Sequence, residues 1–189
     1  MNIHGIEYDS MLNGDGLRAV IWVSGCNHKC LGCQNPQTWD SKSGYPLNTD
    51  DLNRLFNYLE KKYPSGVTFS GGDPLYPDNR KDVLFLCKIL KRRFPKKTIW
   101  MYTGYLYEEI KDLEILKYVD VLVDGPFKKD LADVTYHWAG SINQRVIQLH
   151  HAESQRLYYQ WNCCTNDQRR FGRYWTHIDS WQRKTKNFK

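Results

Sequence analysis

"AVIWVSGCNHKCLGC", residues 19–33, carries a continuous apolar run straight into three cysteines. Ala19 to Val23 is rich in β-formers and bounded by Ser-Gly, the pattern of a buried strand ending in a loop. Cys26, Cys30 and Cys33 therefore follow a strand end, and that placement sets how the rest of the chain is read.

Downstream, "TDDLNRLFNYLEKKYPSG" puts Leu52, Leu55, Phe56 and Leu59 on one helical stripe. It opens on Thr49 with two acids and closes at Pro64 and Gly66. A short strand, Val67 to Phe69, runs into "SGGDPL". A second amphipathic helix follows, with Val83, Leu86, Cys87, Leu90 and Phe94 on its apolar face and Pro95 ending it. "TIWMY" (Thr98 to Tyr102) predicts a strand leading into "TGY". Leu106 to Tyr118 predicts a helix with a break near Asp112, "VDVLVDG" (Val119 to Gly125) another strand, and "QRVIQL" (Gln144 to Leu149) a last one. Alternating strands and helices imply an α/β fold, a mostly parallel sheet with crossover helices, either open or curled into part of a barrel. Cys26–Cys33, Ser70–Leu75, Thr103–Tyr105 and Asp124–Phe127 all follow strand ends, the edge where such folds gather their chemistry.

With 189 residues and 41% hydrophobic content, the chain supports one compact domain plus an appendage. It has no apolar run of membrane-spanning length and no signal-peptide pattern at "MNIHGIEYDS", so it reads as cytoplasmic. Its net charge of +6 is uneven: residues 1–150 hold 19 basic against 18 acidic side chains, residues 151–189 hold 8 against 3. Basicity belongs to the tail, which interleaves eight aromatics with those basic residues. Such a tail suits base stacking and phosphate contact, but it contains no recognised nucleic-acid module.

Six cysteines in a reduced compartment point to metal or redox chemistry rather than disulfides. Cys87 sits on an apolar stripe and reads as core; Cys163 and Cys164 lie in the unassigned tail. A Cys3His zinc site using His28 is one reading of the remaining three, although His28 is only two residues beyond Cys26 and would need a cramped turn. The other reading is an iron-sulfur centre with three protein ligands and one iron open to a substrate.

The C-x3-C-x2-C spacing after one strand and a Gly-Gly-acid-Pro stretch after the next resemble the radical S-adenosylmethionine (SAM) superfamily. "NGDGLR", "FSGGDPL", "TIWMYTGY", "DVLVDGPF" and "WAGSINQRVI" are similar, in order, to motifs of one subfamily, the activating proteins of anaerobic ribonucleoside-triphosphate reductase. Three departures stand out: Asp15 where proline is usual, Gln34 where an aromatic is common, and Ala139 where arginine is usual.

The resemblance implies a small partial (β/α) barrel of radical SAM type over residues 1–149, with 150–189 as an extension. It also implies a 4Fe-4S cluster on Cys26, Cys30 and Cys33 and SAM on the fourth iron. Gly32, Cys33, Gln34, Gly71, Gly72 and Asp73 would lie against that cofactor, with Gly72 backbone atoms favoured over the Asp73 side chain as contacts to the SAM ammonium. A one-electron donor such as flavodoxin would reduce the cluster, and the resulting 5'-deoxyadenosyl radical would take a hydrogen atom from a glycine of the large reductase subunit. No acid-base constellation is required for such chemistry. Tyr105 and Trp39 are candidates for the adenosyl pocket or for core. Arg18 is a candidate anion or partner contact, or a solvated charge. Two other readings stay open: an activator of another glycyl radical enzyme such as pyruvate formate-lyase, and a noncatalytic metal protein with a nucleic-acid-binding tail.

Overall fold

The computed structural model describes residues 1–149. The basic aromatic extension, with Cys163 and Cys164, lies outside the described residues.

Among the described residues seven strands form one sheet in the order β3-β1-β2-β4-β5-β6-β7. They are β1 (Asn2–Ser10), β2 (Arg18–Val23), β3 (Tyr45–Pro46), β4 (Gly66–Gly71), β5 (Thr98–Tyr102), β6 (Val121–Asp124) and β7 (Arg145–Gln148). The centre, β2-β4-β5-β6, is parallel throughout. The parallel sheet expected from the βα rhythm is thus the middle of the molecule, while the edge pairings β1-β2, β1-β3 and β6-β7 are antiparallel. The two outermost strands, β3 and β7, do not pair with each other, so among the described residues the sheet does not close into a barrel.

Three helices connect the parallel strands: α1 (Thr49–Glu60), α2 (Arg80–Arg93) and the short α3 (Tyr107–Ile110). Helix α1 begins at Thr49, as its opening residues suggest. Asn48 caps it, its side chain accepting from Asp51 N at 3.0 Å while Asp51 accepts from Asn48 N, so two otherwise orphaned amides are satisfied reciprocally. Helix α2 ends in Lys91, Arg92 and Arg93, cations placed where the helix dipole is negative. The helix expected over 106–118 is two pieces, α3 and a 3-10 turn at Glu114–Lys117, broken at Asp112 as the sequence suggests.

Alternation along the strands sorts side chains to two faces. Ala19, Ile21 and Val23 of β2, Val67 and Phe69 of β4, Ile99 and Met101 of β5 and Leu122 of β6 pack with Leu55, Leu59, Val83, Leu86 and Leu90 of the helices. Full burial of each of these side chains larger than alanine contributes about 1.5–3 kcal/mol. Cys87 is in this core, fully buried, and burial pushes its thiol up to about 12. On the opposite face Trp100, Val121 and Val123 form a smaller cluster under Trp138, Ala139 and Val146.

Arg18 corrects the sequence reading. It is neither solvated nor paired with a carboxylate: it is fully buried at the start of β2, opposite Gly66 and in line with Thr98. Its guanidinium donates to Thr68 Oγ1, Thr98 Oγ1, and the carbonyls of Val67, Thr98 and Asp15, at 2.8–3.1 Å. This is the sheet edge opposite the cysteines.

Candidate functional site

Four loops meet at the C-terminal edge of the parallel strands. The cysteine loop leaves β2 and is closed at its base by two backbone bonds, Gly25 N to Thr38 O at 2.7 Å and Cys26 N to Trp39 O at 3.0 Å. A compact loop with joined ends results. Inside it, Cys33 N donates to Cys30 O at 3.1 Å, and Asn35 N donates to Cys33 Sγ at 3.3 Å.

The β4 exit is sewn to the base of that loop. Gly72 N donates to Val23 O and Asp73 N to Gly25 O, both at 2.8 Å. A Cβ on Gly72 would lie 2.6 Å from Gly25 O, and one on Gly71, whose φ is +100°, would meet Val23 backbone at 2.9 Å. The two glycines are therefore demanded by backbone packing between neighbouring loops. With its N–H committed to Val23, Gly72 has only its carbonyl to offer a ligand.

Asp73 is 1% exposed. Its carboxylate accepts from Leu75 N at 2.8 Å, Thr103 Oγ1 at 3.0 Å, Gly104 N at 3.0 Å and His28 Nε2 at 2.8 Å. Donors from three loops thus converge on one carboxylate, which is how a buried charge is made tolerable. Asn79, also buried, adds a second tie, its amide donating to Ser24 O at 2.7 Å and Asp73 O at 3.1 Å. The fourth loop, after β6, is positioned by Gln144, which donates to Gly125 O and accepts from Gly140 and Ser141 amides. Arg145 reaches both Asp124 and Glu108.

All three cysteines are free thiols of intermediate exposure. Burial raises Cys26, with the backbone amides of His28 and Lys29 pulling the other way. Burial also raises Cys30, opposed by the Phe127 amide of the β6 loop. Among the described residues no three His, Cys, Asp or Glu side chains converge as ligands of a single ion do. His28, the fourth ligand of the zinc reading, has its Nε2 on Asp73. A cubane cluster asks for something different, one thiolate on each iron, and a loop bearing three partly exposed thiols with amides directed at sulfur has the soft donor chemistry for it.

Gly32 and Gln34 are exposed on the cysteine loop, with the Lys129 side chain beside Gly32. Tyr105 stands edge-on to His28, ring centroids 4.6 Å apart. Trp39 Nε1 is buried and has no hydrogen-bond partner among the described residues. Sequence reasoning missed the joint work of His28, Thr103, Gly104 and Asn79; "TGY" after a strand marked the place but not the task.

Residues 12–147 match the 4Fe-4S single cluster domain family. That defines the class: an α/β protein with an iron-sulfur domain spanning most of its described residues. The chain is 46% identical over 146 residues to the anaerobic ribonucleoside-triphosphate reductase-activating protein of Enterobacteria phage T4, covering 77% of this chain and 93% of the relative. It is 39% identical over 153 residues to the protein of that name in Escherichia coli K12, covering 79% and 99%. To that of Vibrio cholerae O1 it is 39% identical over 150 residues, covering 77% and 97%. The chain belongs to the family of anaerobic ribonucleoside-triphosphate reductase-activating proteins. Among the described residues no helix is long and apolar enough to cross a membrane.

Proposed function

We propose that this chain is a cytoplasmic radical SAM enzyme that activates an anaerobic ribonucleoside-triphosphate reductase, with Cys26, Cys30 and Cys33 as ligands of a 4Fe-4S cluster and SAM on the iron they leave open. The observation that carries it is the junction of the cysteine loop with the Gly71–Asp73 turn, fixed by the two 2.8 Å backbone bonds. It lies at the sheet edge where α/β folds bind ligands. The relatives' names supply the partner, and the curl of the sheet into part of a barrel belongs to the same reading. Held by Cys26, Cys30 and Cys33, the reduced cluster would supply the one electron that cleaves a C–S bond of SAM into methionine and a 5'-deoxyadenosyl radical, the species that would take a hydrogen atom from a glycine of the large reductase subunit.

This chain's residues bind, orient and exclude water. Three thiolates hold the cluster. The Gly72 carbonyl would accept from the ammonium of SAM, while the Asp73 carboxylate, already supplied with donors, acts through the loops it joins. Gly32, Cys33 and Gln34 backbone atoms would lie along the cofactor. An external one-electron donor such as flavodoxin provides the reducing equivalent.

Anaerobic reconstitution with iron and sulfide, then reduction in the presence of SAM, tests the reading. A 4Fe-4S signal and 5'-deoxyadenosine are expected, and absence of both would overturn it. Adding purified reductase or pyruvate formate-lyase distinguishes the partners: a glycyl radical signal is expected on the reductase.

A further inference from the structure

The Asp73 carboxylate takes three of its donor groups from its own turn and the β5 loop; the one from the cysteine loop is His28. Because a carboxylate accepts, His28 Nε2 carries the proton in this contact. The ring is held in two further ways. It meets Tyr105 edge-on at an interplanar angle of 78°, and it fills the space above Gly104, where a Cβ would lie 2.4 Å from its Cδ2 atom. The next residue, Lys29, has φ of 45°, a left-handed conformation that costs a non-glycine residue free energy and persists where its surroundings over-determine it. His28 and Lys29 lie between Cys26 and Cys30.

We propose that His28 is a positioning residue: its bond to Asp73 latches the cysteine loop onto the β4 turn, and through the Thr103 and Gly104 bonds of the same carboxylate onto the β5 turn, and so sets how firmly the loop retains its cluster. The inference rests on the iron-sulfur reading above. The latch also couples the loop to the Gly71–Asp73 turn, so a change at His28 reaches both the cluster and the contact to SAM without touching either. Partners behind the ligands of metal sites have effects of this kind, on the order of 10–100-fold in affinity.

The test uses the full chain, reconstituted anaerobically, as wild type, His28→Phe, His28→Gln and His28→Asn. Phenylalanine keeps a ring on Tyr105 and loses the donor; glutamine places an amide N–H near the position of Nε2; asparagine is too short to do so. Three quantities are read: iron release to a chelator, the electron paramagnetic resonance change when SAM meets the reduced cluster, and amide exchange at Gly104 in the metal-free protein. His28→Phe should release iron on the order of tenfold faster, respond differently to SAM, and exchange Gly104 faster, with His28→Gln restoring all three. Wild-type behaviour of His28→Phe would overturn the latch, as would a His28→Gln variant as impaired as His28→Phe. Should His28→Phe fail to fold, glutamine against asparagine decides, and equal iron retention in those two would overturn it. Failure of the wild type to take up a cluster would instead overturn the iron-sulfur reading and the latch with it.

Discussion

The guanidinium carbon of Arg18 lies 5.4 Å from the ring centroid of Trp100, inside the protein and with neutral oxygens as its hydrogen-bond partners. Burial pulls its pKa down to about 10, which still leaves it charged at neutral pH. The cation bonds to the start of β5 and the side of β4 on one side and to the 13–17 turn on the other. It pins the end of the sheet remote from the cysteines.

Replacing Arg18 with alanine leaves several buried acceptors without a donor. A loss of about 3 kcal/mol or more is expected in urea unfolding of the metal-free protein. Arg18→Lys should recover only part of it, since one ammonium cannot reproduce the fork that serves Thr68 and Thr98 together. A fully stable Arg18→Ala would show that the bonds are not what holds this edge.

Cysteine position separates two kinds of defect. Cys26→Ala, Cys30→Ala and Cys33→Ala should each reduce reconstituted iron to background with little change in metal-free stability, because these thiols are partly exposed. Cys87→Ser should bind iron as wild type does but lose about 1–3 kcal/mol, the cost of placing a hydroxyl in an apolar core. Iron analysis and urea unfolding on the same four proteins check both halves.

What was legible in the chain followed from local pattern. Ala19–Val23 and Thr98–Tyr102 read as strands because apolar β-formers run together there, and the cysteine spacing read as a metal loop because it is compact. Strand β1 did not read as one: its pairing with β2 shifts register near Gly5 and again before Ser10, and bulges of this kind break the two-residue period. Arg18 was read as exposed or paired because its acceptors lie 50 and 80 residues away on β4 and β5. The His28–Asp73 bond joins residues 45 apart, so spacing around the cysteines could raise His28 only as a ligand, never as a latch.

Arg145 grips Glu108 through both carboxylate oxygens, at 3.0 and 2.8 Å. That holds the Glu108 pKa down at about 2, against an ordinary 4.5. A carboxyl whose folded pKa is depressed contributes stability in full above its unfolded pKa and loses it as pH falls through the folded one. The stability difference between wild type and Glu108→Gln should therefore be constant above pH 4.5, shrink between 4.5 and 2, and vanish below. Glu108 is 64% exposed, so added salt should reduce the difference at neutral pH. Unfolding titrations at stepped pH and two salt concentrations measure it, and a difference that grows on acidification would contradict the assignment.

Gly104 gives the last test, because its backbone does not need glycine's left-handed freedom but its surface does need the absence of a methyl group. A Cβ there would sit 2.4 Å from His28 Cδ2 and 2.5 Å from Cγ, and the ring cannot swing aside without leaving Asp73. Gly104→Ala should cost about 1–3 kcal/mol as an overpacked contact and should speed iron release as His28→Phe does. In a His28→Ala background the clash is gone, so the same substitution should become nearly neutral. The double-mutant cycle, read by urea unfolding of metal-free protein, isolates this term. An equal cost in both backgrounds would mean that Gly104 is required for some reason other than room for the imidazole.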